Sequence, residues 1–171
     1  MPAEIPADLP IEQRIAAMVA QHGEAKVANR AVSLIAGNNE GEEFLIAVGG
    51  EHAQGILDGA PVLYWPELWG TRALLYVWDD SAVAGVTAAL HNQAWRVREM
   101  AARVAAARVL DVAPVLTGLL SDETARALGA IGTLESVDAI RPLLRDPEID
   151  VRRGAQQGID SIRGRFPTDP S

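Results

Sequence analysis

From Ile11 onward, apolar positions recur at intervals of three and four residues, and glycine, asparagine, aspartate and proline interrupt them at helix-length distances. Ile11, Ile15, Met18 and Val19 predict a helix from Ile11 to His22 that Gly23 closes. Val27, Ala31, Leu34 and Ile35 mark a second over Glu24–Ala36, broken by Gly37-Asn38-Asn39. Glu42–Val48 reads as a short apolar helix stopped by Gly49-Gly50, and another runs from Glu51 to Leu57 before the loop Asp58-Gly59-Ala60-Pro61. Tyr64–Asp80 is the densest aromatic stretch; Pro66 suits the first turn of a helix reaching about Trp78, with Trp65, Trp69, Arg72 and Tyr76 along one stripe. Strand-type alternation is poor throughout, so the pattern predicts an all-α chain.

The stretch from Asp80 to Gly164 repeats one phrase three times, as Ser81–Leu90, Asp111–Leu120 and Ser136–Leu144. Counting back from each last leucine, Val83 and Val86, Ala113 and Leu116, and Val137 and Ile140 fall seven and four positions earlier, on one helix face. Leu116, Leu120, Ile140 and Leu144 are therefore expected to be buried between repeats. Two residues beyond each leucine stands a cap, Asn92, Asp122 or Asp146, opening an arginine-bearing second helix. These second helices are read over Ala94–Val109, the short ETARALGAIG segment after Asp122, and Val151–Arg165. Asp79 or Asp80 suits a cap for the first phrase, and Thr133 or Glu135 a start for the third. Pro142 should remove one backbone bond and bend the last turn before Leu144. A repeat that encodes a helix pair is the signature of an α-solenoid. The chain then divides into an extended lead-in (1–10), divergent N-terminal helix pairs (11–78), the repeats (80–164) and a tail (165–171), with 11–164 one continuous domain.

Charge sharpens the picture. The net charge is −8, and residues 1–90 carry the whole excess, with 4 basic and 12 acidic side chains against 11 and 11 in residues 91–171. Such a chain is a poor general nucleic-acid binder, because phosphate contacts need a basic surface. With no cysteine, disulfides, zinc-thiolate sites and thiol catalysis are excluded. The start MPAEIPADLP lacks the charge and apolar run of a signal peptide, and no apolar stretch approaches the roughly 18 residues that span a bilayer, so a cytoplasmic protein without membrane contact is expected.

At WRVREMAA (Trp95–Ala102), ARALGAIG (Ala125–Gly132) and DPEIDVRRGAQQGI (Asp146–Ile159) the chain resembles HEAT repeats, nearest to the short bacterial subtype named after phycobilin lyases. YWPELWGTRALLYVWDDSA together with WRVREMAA is also similar to a set of small bacterial HEAT-repeat proteins. The resemblance implies a right-handed superhelix of antiparallel helix pairs that binds other proteins. It further implies that Val97 and Val151 pack while Arg98 and Arg152 brace the neighbouring repeat, a dipeptide the middle repeat lacks.

A scaffold or adaptor for another protein is accordingly expected, with Trp95, Arg96, Arg103, Arg153 and Trp65 as partner-binding residues; a homodimer is left open. Trp69 and Trp78 read as core, whereas Trp65 and Trp95 stand at helix starts, where an indole is often half exposed. The arginines Arg96, Arg98, Arg103, Arg108, Arg126, Arg152 and Arg153 read as recurring at equivalent repeat positions. They suit either bidentate anion contacts or internal bracing against Glu99, Asp122, Asp146 and Asp150. The alternative is an enzyme-associated role of the bilin-lyase or HEAT-like DNA-glycosylase kind, with a pocket at 64–80 using Trp78, Asp79 and Asp80, and Arg98 a helix away. No phosphate-cradling or nucleophile-elbow motif occurs, and His22, His52 and His91 lie in separate helix pairs without metal spacing. No catalytic, cofactor-binding or metal-binding residue is assigned.

Overall fold

The computed structural model describes residues 4–119 and 122–166, and every regular element among them is helical. They fall into two compact units, one up to Ala101 and one from Ala102.

The first unit begins with α1 (Ile11–His22) and α2 (Glu24–Ile35), joined at Gly23, followed by α3 (Glu42–Gly49) and α4 (Glu51–Leu57). All four match the boundaries their periodicity predicts to within a residue. Their apolar stripes meet: α1 packs on α2 and α3, and α2 lies along α5 (Trp65–Ala73). Ile15, Met18, Val27, Ala31, Phe44, Val48 and Trp69 form the buried centre. Gly70 lets α5 approach α2 closely, since a Cβ there would stand 2.8 Å from the carbonyl oxygen of Ala31.

α5 is shorter than its sequence suggests. It ends at Ala73, and the chain turns through Leu74–Tyr76, so Trp78 lies outside the helix and Tyr76 faces solvent. Leu74 and Val77 on either side of Leu75 and Tyr76 are both fully buried. A 3-10 turn (Asp80–Ala82) then leads into α6 (Val83–Ala89), with Asp79 as the cap.

The helix α7 (Trp95–Arg108) runs from the first unit into the second. The second unit continues with α8 (Ala113–Leu119), α9 (Asp122–Ile131), α10 (Leu134–Ile140) and α11 (Ile149–Arg165). Here α9 and α11 make the most extensive contact, α8 and α10 flank them, and Leu116, Leu128, Ile140, Ile159 and Ile162 are buried. Thr133 caps α10 through a reciprocal box with Ser136.

The expected burial of Leu144 fails. The α-helix stops at Ile140 and continues as a 3-10 turn, Arg141–Arg145, where Leu144 is only half-buried. Pro142 has no N–H to give an α-helical bond, and the tighter winding rotates the side chains that follow away from the stripe set by Val137 and Ile140. Leu120 and the capping side chain of Asp122 lie outside what is described.

Candidate partner-binding surfaces

The start of α7 is held by a set of local bonds. Asn92 Oδ1 accepts from the amide of Ala94 at 2.8 Å, and its side-chain amide donates to Glu67 Oε2 at 2.5 Å. Arg98 reaches back to donate to the carbonyls of Asn92 (2.7 Å) and Gln93 (2.9 Å). The second unit repeats this arrangement: Asp146 Oδ1 accepts from the amide of Glu148 at 2.9 Å, and Arg152 donates to the carbonyls of Asp146 (2.7 Å) and Pro147 (2.9 Å). Arg98 and Arg152 thus brace the turn before their own helix, correcting the expected brace to a neighbouring repeat. In each clamp a single terminal nitrogen of the guanidinium, six residues after the cap, gives both bonds and so ties the two carbonyls of that turn together.

Superposing the two clamps in register corrects the arginine ladder. Arg98 matches Arg152, but Arg96 matches Asp150, Glu99 matches Arg153, and Arg103 matches Gln157. Arg153 pairs with Asp150 at 3.6 Å, Arg126 donates to Gln157 at 2.8 Å, and Arg103 and Arg108 have contacts of their own. The arginines therefore do not form one row of like side chains at matching positions.

Three residues past each cap the clamp presents an apolar side chain: Trp95, 57% exposed, and at the matching place the exposed Ile149. Arg96 lies over the indole of Trp95 with its guanidinium carbon 4.9 Å from the ring centroid. Trp65, by contrast, belongs to an aromatic stack. Its ring lies 6.1 Å from that of Trp69, nearly parallel, and 5.1 Å from that of Tyr64, and it is half-buried. Trp69 is buried as expected; Trp78 is only half-buried.

The acids beside Trp78 are occupied locally. Asp80 accepts from the indole N–H of Trp78 at 3.1 Å, while Asp79 accepts from the hydroxyl and the amide of Ser81. The Ser81 hydroxyl, and then its amide, hold the Asp79 carboxyl below the usual carboxylate range. Asp79 thus acts as a plain cap, while Asp80 holds the Trp78 indole.

Two arginines escape the sequence reading. Arg14 is buried, and its guanidinium donates to the carbonyls of Ala47 (3.0 Å), Ala7 (3.4 Å) and Leu9, tying the lead-in to the end of α3. Arg72 donates to the carbonyl of Val48 at 2.7 Å, while its buried Nε has no partner. Both guanidiniums thus meet the last turn of α3, where helix carbonyls lack intrahelical donors and the helix dipole is negative. Burial lowers both pKa values, and for Arg72 the charge of Arg14 adds to the effect. The signal for Arg14 was its place four residues before Met18, on the apolar stripe of α1.

The first unit also carries a cleft of about 410 Å³ that no sequence motif marks. Leu34, Leu45 and Ile56 form its floor, while Leu57, Val62 and Leu63 stand exposed at its edge. Glu40, Glu42 and Glu67 line it, and no lysine or arginine does. The signal was the apolar pair Val62-Leu63, stranded between two prolines with no helix period to bury it.

His52 and His91 are exposed and His22 half-buried, and among the described residues no group of three or more His, Cys, Asp or Glu is placed to hold a metal. No described helix is long and apolar enough to cross a membrane. No family model, curated protein or solved structure matches this chain.

Proposed function

We propose that this chain is a non-enzymatic adaptor of the HEAT-repeat kind, an α-solenoid that binds another protein around Trp95 and Arg96. The observation that carries the reading is the exposed indole of Trp95 under the Arg96 guanidinium. Tryptophan and arginine dominate binding energy where a partner encloses them, and an indole fixed in place loses little entropy on docking. Here the Asn92–Arg98 clamp fixes the first turn of α7, so the anchor is presented without a folding cost. The repeated clamp at Asp146–Arg152 supports the helix-pair repeat, and Ile149 extends the same kind of exposed anchor to the second unit. Arg103, Arg153 and Trp65 are secondary: the two arginines are already engaged, and Trp65 is half-covered by its stack.

The test is capture of a partner from a native lysate by the full chain, with mass spectrometry to identify it. The double variant Trp95→Ala with Arg96→Ala should fold, with its melting temperature within a few degrees of the parent, and lose that partner. Capture undiminished in a folded double variant would place the binding face elsewhere.

A further inference from the structure

We propose that the cleft between α2, α3 and α5 is a second docking surface, and that its occupant is a basic amphipathic helix of another protein. This surface is separate from Trp95, which does not line it, and the two proposals stand or fall independently.

Leu63 stands at the edge of this cleft. Its φ is 47°, a left-handed conformation in which a leucine Cβ crowds the following carbonyl, yet its side chain is 70% exposed and gains no burial there. Val62 beside it is 52% exposed. Leu63 thus combines a strained backbone with a solvated apolar side chain, Val62 adds further solvated apolar surface beside it, and unlike Val109, which closes a helix, this pair edges a cleft. Together with Leu57 these residues edge a floor of Leu34, Leu45 and Ile56, which suits apolar side chains spaced three and four apart on a docking helix.

Charge selects the occupant. Glu42 is exposed at the start of α3; Glu67 accepts from the side-chain amide of Asn92; Glu40 is partly offset by Arg30 at 3.2 Å. The same edge continues past Leu57 into a hollow lined by Glu4, Glu43 and Asp58, again with no lysine or arginine. On its other side, past Leu63 and Glu67, a further hollow is lined by His91, Asn92 and Gln93. An apolar trough edged by carboxylates favours a partner whose apolar face is flanked by lysine and arginine, and repels one flanked by acids. Enclosed small-molecule sites gather polar groups inward; here the carboxylates lie along the rim.

The experiment is a fluorescence-anisotropy titration of the full chain with three synthetic helical peptides of equal length. One has leucines at helical a/d spacing with lysines elsewhere, the second has glutamates for the lysines, and the third has serines for the leucines. The leucine–lysine peptide should bind at micromolar concentration, with each of the other two at least about tenfold weaker. Leu63→Gly suits the positive φ and keeps the fold, and it should weaken the leucine–lysine peptide about fivefold to tenfold while raising thermal stability. Glu42→Gln should weaken it about threefold and flatten its salt dependence. The Trp95→Ala, Arg96→Ala variant should bind this peptide as the parent does. Equal binding of the lysine and glutamate peptides, equal binding of the serine peptide, or indifference to both Leu63→Gly and Glu42→Gln overturns the proposal. So does loss of binding in the Trp95, Arg96 variant, which would assign the peptide to that surface.

Discussion

Val109 holds φ at 52° with its side chain 71% exposed, a β-branched residue in a conformation that suits glycine. It follows the end of α7, where the amide of Leu110 bonds the carbonyl of Ala105, closing the helix in the manner that usually employs glycine. Val109→Gly should therefore raise the unfolding free energy by about 1 kcal/mol, the left-handed strain removed outweighing the backbone entropy added. Denaturant titration measures this, and a loss of stability would show that the valine side chain is held by packing. Arg14 is the opposite case, a charge whose value lies in its acceptors. Arg14→Met should cost about 2–4 kcal/mol, because charge-assisted bonds to carbonyls of Ala7, Leu9 and Ala47 disappear and those oxygens stay covered. A cost under about 1 kcal/mol would mean that water replaces the guanidinium.

The element that most depends on a single side chain's absence is the α9–α11 pair. A Cβ at Gly158 would overlap the carbonyl oxygen of Ala125, and one at Gly129 would stand 2.8 Å from the Cα of Gly158. Backbone cannot rotate aside as a side chain does, so Gly158→Ala should cost about 2–3 kcal/mol or force the helices apart. Calorimetry on the purified variant decides this; a melting point unchanged from the parent would refute the close crossing. Along α10 the winding change at Arg141 sets a contrast within one predicted stripe. Ile140→Ala should cost about 2–5 kcal/mol, while Leu144→Ala should cost only about 1 kcal/mol. Equal losses at the two sites would mean that the stripe continues unbroken through Pro142.

Over the whole molecule, charge separates the two units. Residues 1–101 hold 13 acidic and 6 basic side chains, and residues 102–171 hold 10 and 9. The basic residues of the second unit are offset nearly one for one, and several are engaged with carbonyls or neighbouring acids: Arg165 donates to the carbonyls of Gly129 and Gly132, and Arg141 pairs with Asp138. Duplex DNA should accordingly bind weakly or not at all at physiological salt. A duplex titration with sub-micromolar affinity that falls steeply as salt is added would refute this and revive a nucleic-acid role.

Helix identity was legible in the chain because its causes are local. Periodicity and glycine stops such as Gly23 act within about one helical turn, and α1 to α4 begin and end where they direct; the Asn92 and Asp146 caps act just as locally before α7 and α11. The exposure of Trp95 was not decided by its first-turn place alone, since Trp65 stands in the same kind of position and is half-buried in an aromatic stack. What Arg14 and Arg72 touch was decided only by tertiary structure, since Ala47 and Val48 lie 33 and 24 residues away. The cleft was decided likewise: Leu34, Leu45, Ile56 and Leu63 share no period, and only the packing of α2, α3, α4 and α5 brings them to one trough. Local bonds specify which residues coil, whereas a site assembled from four separate segments exists only once long-range packing has set their distances.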